Sequence, residues 1–459
     1  MTGYRSKTAC VVDNGLFVNL AVTLAESFGQ VFYWSPWENA FPVSNTRLIG
    51  QNVPGVTRIN SIWEVIDSVD LFVFPDVNYG SLQVQLVAMG KRVWGSRLGE
   101  ELELDRVASK RYCEEAGIDI GPYQVVTGLA ALREYLREND NQFVKVSRTR
   151  GDCETFRAPN YKLIEPRLDE LEWVLGAKKN IMEFVVEAAI EDAVETGYDG
   201  FSIDGKFAKQ SMLGIEIKDC GYVGECLPYR ELPTALIDIN DKLSPALRDF
   251  EYRGFFHTEV RVTEDKAYLV DPCARLGSPP GELMMLLITN LADIIWEGAE
   301  GTVVEPEFAA RFGAQVFLTS EWAGRNWLAV DFPHSVRDFV KLRTFTIIDD
   351  RYYVVPQPFG SGTDSGMGTA IGALVAVADT LAGVIAKVRS YADQVSGYKV
   401  TAHLDALDEA EAKYEKVKQM FPAAAQSAAL FASAPGPVRR PGYRVARDRS
   451  ASVRAKILK

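Results

Sequence analysis

The sequence predicts a multidomain protein of mixed α/β and α+β class, with a parallel α/β unit at the N-terminus and a small α+β unit at the C-terminus. Three observations lead there. At 459 residues the chain exceeds what one hydrophobic core organises. Its first hundred residues alternate β-rich runs with helical patterns, the signature of a parallel sheet. Beyond them, strands follow one another at hairpin-like spacing and are only occasionally broken by helices, which suggests paired α+β units with a cleft between them.

In order, strands are expected at Thr8–Val12, Gln30–Trp34 and Leu71–Pro75, with a helix over Leu16–Ser27 between the first two. The turn Asp13–Gly15 lies where a parallel sheet presents its carboxyl edge to small ligands, although a lone glycine there is more often a plain turn, and no GxGxxG accompanies it. A helix is expected from Asp105, then strands at Tyr123–Val126 and Gln142–Val146, a helical stretch near 168–176, and strands at Asn180–Val185, Phe201–Ile203, Phe255–Val262 and Ala267–Asp271. Strands near Thr344–Ile348 and Tyr352–Val355 and the Ala- and Val-rich segment 369–389 complete the last unit.

Composition narrows the function classes. With 47% hydrophobic and 24% charged residues the chain is an ordinary globular protein rather than a disordered one. Neither a leader peptide nor a membrane span is expected, since the apolar run Leu283–Trp296 is interrupted by Thr289, Asn290 and Asp293. Six scattered cysteines without a CxxC, and only three histidines, point to neither a zinc site nor a disulfide framework, so a reducing cytoplasm is the expected setting. A net charge of -12 argues against nucleic acid as a partner of the main body. The exception is the terminal segment Ala432–Lys459, with eight Lys or Arg against the single acid Asp448; it reads as a solvated tail, with a nucleic-acid or acidic-partner contact as the alternative.

The chemistry is concentrated in Glu259–Arg275. Two strands joined by a turn at Glu264–Lys266 would set Glu259 and Asp271 on one face. Paired acids in an apolar setting are costly unless a cation joins them, and oxygen ligands suit Mg²⁺, or Mn²⁺, held together with substrate phosphates. Arg275 would stabilise negative charge developing nearby. An ordinary surface hairpin is the alternative.

These two acids, with Arg275 four residues past the second, resemble the ATP-grasp signature Glu…Glu-x-Asn-x-Arg, and the block Asp271–Glu282 is similar to that of phosphoribosylamine–glycine ligases. The likeness extends in order over most of residues 70–405, taking in Phe74–Leu82 and Val93–Ser96 ahead of the first ATP-binding helix and the segment 369–389 near the end. It implies an ATP-grasp fold divided as 1–104, a pre-ATP-grasp α/β domain; 105–310, two subdomains clamping ATP; 311–425, a small α+β domain; and 426–459, a basic flexible tail. It also implies an ADP-forming ligase that joins a small-molecule carboxylate to an amine through an acyl phosphate, with the substrates themselves left open; an ATP-grasp fold kept as a nucleotide-binding or interaction module without turnover is the alternative.

The same resemblance assigns residues. Arg106 and Lys145 stand where phosphate-binding cations are found, and Arg148 and Arg150 occupy a lid loop with a single glycine, where guanidinium would substitute for backbone amides. Glu183 and the Phe184–Val185 backbone match the hinge strand that holds adenine, with Glu187, or alternatively Glu191, on the ribose. Lys218, in a Glu-x-Lys strand, would face the transferred phosphate. Glu259 and Asp271 would be the metal ligands, and Arg275 and Lys218 the catalytic cations. Two departures stand out: Cys273 replaces the usual Asn ligand with a soft sulfur that hard Mg²⁺ disfavours, and the N-terminal glycine-rich phosphate loop of the family is absent.

Overall fold

The computed structural model describes residues 3–36, 49–148, 155–191, 193–263, 266–356 and 368–421. Arg150, the turn residues Glu264 and Asp265, and the basic tail lie outside the described residues.

The N-terminal strands Thr8–Val12, Gln30–Trp34, Thr57–Arg58, Leu71–Val73 and Arg92–Trp94 form a parallel five-stranded sheet. Thr8–Val12 lies at its centre, and the chain adds strands first to one side and then to the other, so the order reverses between Thr8–Val12 and Leu71–Val73. Such a reversal opens a crevice beyond the carboxyl ends of the strands. At this edge the turn residues bind one another and their neighbours. Asp13 Oδ2 accepts from Gly15 N at 3.0 Å, Phe17 N at 2.9 Å and the Tyr33 hydroxyl at 2.7 Å. Asn14 donates to Asp76 at 3.3 Å and accepts from the Tyr79 hydroxyl at 2.7 Å. The turn thus fixes its own acids.

A four-stranded antiparallel sheet follows, in the order Tyr123–Thr127, Glu183–Ala188, Gln142–Val146, Thr155–Ala158. The helices Leu129–Glu138 and Tyr161–Leu175 lay Leu132, Leu136, Leu168 and Leu171 against it as a separate small core. Their apolar residues recur at three- and four-residue spacing, as a helix resting on a sheet requires.

The largest element is a ten-stranded sheet. Its main path runs Ala267–Cys273, Arg253–Val262, Val194–Ile203, Gln210–Ile217, Gly221–Pro228, Phe312–Ser320, Thr369–Ala378, Val340–Leu342. Gly221–Pro228 pairs antiparallel with Phe312–Ser320, so the sheet runs unbroken across residue 310, where the sequence suggests a domain boundary. Alternation reveals a strand but not the partner it pairs with. Helix Asp405–Met420 docks on this sheet, and the Tyr414 hydroxyl donates to the buried Glu225 at 2.7 Å, whose other oxygen binds Arg311 at 2.5 Å. Among the described residues no helix is long and apolar enough to cross a membrane.

Candidate active site

Glu259 stands directly opposite Asp271 across the antiparallel pair Arg253–Val262 and Ala267–Cys273, with a bulge between Glu259 and Val260. Two residues back on the same strand, hence on the same face, His257 faces Cys273. Neighbouring side chains on this face open onto two cavities. The smaller, of about 300 Å³, is lined by Glu103, Arg106, Lys110, Lys145 and Asp271. The larger, of about 560 Å³ and open to solvent, is lined by Glu195, Asp199, Glu216, Lys218, His257 and Glu259, with Arg275 and the Gly277–Pro279 segment on its other wall. The acid pair therefore forms a partition between them.

The smaller cavity is a dense ion-pair network. Lys145 is 2% exposed; its ammonium lies 2.9 Å from Asp271 Oδ2, 3.0 Å from the Val270 carbonyl and 3.2 Å from Glu187 Oε2. Lys110 holds the other Glu187 oxygen at 2.5 Å. Burial pushes the Asp271 carboxyl up, but Lys145, Arg106 and Lys110 outweigh it and bring its pKa down to about 2. Burial likewise opposes the charge on Lys145, yet Asp271 and Glu187 raise its pKa above the ordinary lysine value. Arg106, buried at the start of the helix Arg106–Glu115, donates to Thr155 Oγ1 at 3.0 Å. Buried charges of this kind persist only because each has a partner.

The larger cavity is less settled. Lys218 is exposed within it, and its pKa is raised, chiefly by the Glu216 carboxylate. Burial pushes the Glu216 carboxyl well above the usual range, and Lys218 offsets that only in part. Glu259 is also pushed up by burial, and accepts only a weak bond from the Cys273 thiol at 3.4 Å. Arg275 donates to Glu103 Oε1 at 2.8 Å, while the second Glu103 oxygen takes the Ala274 N–H at 2.8 Å. Behind them, the Tyr222 hydroxyl donates to Asp199 at 2.5 Å, and His257 Nδ1 bonds the other Asp199 oxygen at 2.7 Å. Gly277 N–H donates to His257 Nε2 at 3.0 Å, which places the ring proton on Nδ1.

The donor set fits a hard divalent cation in part. Two opposed carboxylates are what Mg²⁺ commonly takes from a protein, with phosphates and water completing its shell. Among the described residues no group of three His, Cys, Asp or Glu is arranged to hold a metal alone. Cys273 would contribute little, because burial pushes its thiol well above its usual pKa and only a thiolate binds metal well.

No protein-family model matches this sequence, and no curated protein matches it. Solved structures do match in fold. Phosphoribosylamine–glycine ligase from Thermotoga maritima superposes with a TM-score of 0.62 at 15% identity, covering 86% of this chain and 98% of that one. The biotin carboxylase domain of 2-oxoglutarate carboxylase from Hydrogenobacter thermophilus, solved with MgADP, ADP and bicarbonate, gives 0.63 at 12% identity over 90% and 98%. N5-carboxyaminoimidazole ribonucleotide synthetase from Thermotoga maritima gives 0.55 at 14% identity over 86% and 99%. The chain has the ATP-grasp fold. Within this fold the four-stranded and ten-stranded sheets meet at Lys145 and Asp271, one residue from each.

The residues singled out from sequence reach different places on the ATP-grasp framework. Lys145, Arg106, Glu187 and Asp271 gather at the smaller cavity, and Lys218, Glu259 and Arg275 at the larger. Glu187 engages Lys110 and Lys145. Arg148 turns instead to Glu101 at 3.1 Å and to Asp105, with its side chain 59% exposed. Glu191 accepts from Asn141 at 2.8 Å on the surface. The expectation for Phe184 and Val185 needs correction: both lie in a strand flanked on each side, so their backbone N–H and C=O groups are used in the sheet ladder and are not free to read a base edge. Glu183 begins that strand, its carbonyl accepting from Ser147 N at 3.0 Å. A central strand and an edge strand look alike in sequence.

Sequence reasoning passed over Lys110, Glu103, Glu216, Asp199 and His257. Lys110 lies one helical turn beyond Arg106 and so shares its face, a spacing that would have revealed it. His257 and Glu216 stand two residues from Glu259 and Lys218, with the same strand parity. Asp199 and Glu103 gave no such signal, because each joins the site from a distant element.

Proposed function

We propose that this chain is an ATP-dependent carboxylate–amine ligase, forming an amide through an acyl phosphate. The observation that carries the reading is the partition itself: Lys110 and Lys145 face one cavity, Lys218 and Arg275 face the other, and the Glu259–Asp271 pair stands between them. A nucleotide whose phosphates lay along Lys110 and Lys145 would deliver its terminal phosphate beside Lys218 and Arg275. Glu259 and Asp271 would hold Mg²⁺, or Mn²⁺, accompanying the nucleotide, and the cation would offset phosphate charge. Lys218 and Arg275 would stabilise charge on the transferring phosphoryl group, with Glu103 fixing the Arg275 guanidinium. The amine then displaces phosphate from the acyl carbon, and no protein nucleophile is needed.

One observation favours a second reading, an ATP-grasp fold that binds nucleotide without turnover. Cys273 occupies a position beside Glu259 where a third oxygen ligand would strengthen the metal site. The test is ADP release by the purified protein with Mg-ATP and paired panels of amino acids and amines. Release requiring both substrates, and lost in Lys145→Ala and Asp271→Asn, is expected of the ligase. Nucleotide binding with no turnover for any pair selects the second reading.

A further inference from the structure

The two walls of the larger cavity are not balanced in charge. Four carboxylates, Glu195, Asp199, Glu216 and Glu259, face two cations, Lys218 and Arg275. Of these, Glu195 is taken by Arg261 at 3.1 Å and Arg275 by Glu103 at 2.8 Å, while Asp199 accepts from Tyr222 and His257. Glu216 is different. It lines the cavity, and among the described residues it makes neither a hydrogen bond nor an ion pair. Burial is the largest influence on its carboxyl and raises it; Lys218, two residues along the chain, opposes that without touching it, and Glu259, Glu195 and Asp199 add smaller repulsions. An acid so placed either keeps its proton or gives it up to a ligand that brings a cation into contact with it.

The sheet makes room for such a ligand. Gly197 and Gly214 face each other at the floor of the cavity, and a Cβ at Gly214 would come within 2.1 Å of Asp199 Oδ2 and 2.5 Å of the Tyr222 hydroxyl. The floor is thereby kept low in front of the acids.

We propose that this cavity binds its amine substrate as an ammonium ion, held by Glu216 with Asp199 and Glu195 around it, and that it rejects phosphorylated amines. Among the described residues lining the cavity, a phosphate dianion would meet Lys218 as the one cation not already engaged by a carboxylate at salt-bridge distance, and would face the full set of acids. The inference rests on reading the larger cavity as the acceptor side of a ligase, but it concerns binding alone and is tested without nucleotide.

The experiment is calorimetric titration of the full chain, in EDTA, with 1,4-diaminobutane, lysine and ribose 5-phosphate, repeated with MgCl₂ alone in EDTA-free buffer. At least one of the two amines should bind, ribose 5-phosphate should not, and Glu216→Gln should weaken amine binding by about tenfold or more, the usual size of a charged hydrogen bond. Glu115→Gln, at an exposed helical position, should leave it unchanged. Circular dichroism and a thermal melt verify that Glu216→Gln is folded. Binding of ribose 5-phosphate in preference to the amines, amine affinity unaltered in Glu216→Gln, no amine binding at all, or a Glu216-dependent response to MgCl₂ alone would each overturn the proposal. A separate ADP titration keeps the two readings apart: failure to bind ADP removes the ligase reading and leaves the amine site standing on its own result.

Discussion

Lys145 is the residue whose loss should be felt most. It neutralises Asp271 and shares Glu187 with Lys110, so Lys145→Met leaves a partly buried carboxylate without its nearest cation. Losing such a charged partner typically costs about 1.5–3 kcal/mol. Chemical denaturation at pH 7 should show that loss, and Asp271→Asn added to Lys145→Met should recover most of it, because the stranded charge is then gone. The sign with pH follows from the depressed Asp271 value: the wild-type pair contributes above the ordinary aspartate range, and its contribution falls away as pH drops toward about 2. Cys273→Asn is the opposite kind of change. It adds an oxygen donor beside Glu259, and Mg²⁺-dependent ADP release should be retained or raised; complete inactivity would count against Cys273 as a replaced ligand.

At the scale of single elements, the turn after the first strand carries its own pH response. Burial pushes the Asp13 carboxyl up from its usual 3.8 to about 6, against the bonds from Tyr33 and the Phe17 N–H that lower it. A carboxyl raised on folding binds its proton more tightly in the native state, so stability falls as pH climbs from about 4 to 6 and stays low above that, by about 3 kcal/mol in all. Asp13→Asn should flatten this part of the Tm profile. A second prediction concerns the cavity floor: Gly214→Ala drives a methyl into the Asp199–Tyr222 bond and should cost about 1–3 kcal/mol in urea denaturation. The N-terminal strands were legible in sequence because each is short, apolar and followed by a turn; Thr8–Val12 and Gln30–Trp34 fall where expected. The hinge strand was not, since Glu183–Ala188 sits three residues beyond the expected Asn180–Val185, and its central place in the sheet depends on pairing that no local pattern encodes. Glu259 and Asp271 were expected on one face, but it is the bulge beside Glu259 that sets Asp271 opposite it, since the register of Val262–Val260 continued unshifted would bring Val270 there; Asp199 and Glu103 enter the site through contacts 58 and 172 residues distant in sequence.

Over the whole molecule, the ten-stranded sheet binds the two halves of the chain together. Phe312–Ser320 is buried along its entire length, between Gly221–Pro228 on one side and Thr369–Ala378 on the other. A chain ending at residue 310 would expose the backbone edge of Gly221–Pro228, and would strip Arg311 and Tyr414 from the buried Glu225. That fragment should be insoluble or lack a cooperative unfolding transition, and soluble recovery followed by circular dichroism measures this directly. A well-folded 1–310 fragment would show that the shared sheet is dispensable.

The Lys145–Asp271 pair has one last consequence under the ligase reading. While no nucleotide is present, the site serves as its own counter-ion: the lysine that would meet a phosphate is held by the acid that would meet a metal. An arriving triphosphate competes for Lys145 and so liberates Asp271, and a cation bound there in turn keeps Asp271 from reclaiming the lysine. Each ligand removes the other's competitor. Nucleotide and divalent ion should therefore each tighten the other's binding by the same factor, with neither one serving as a template laid down beforehand.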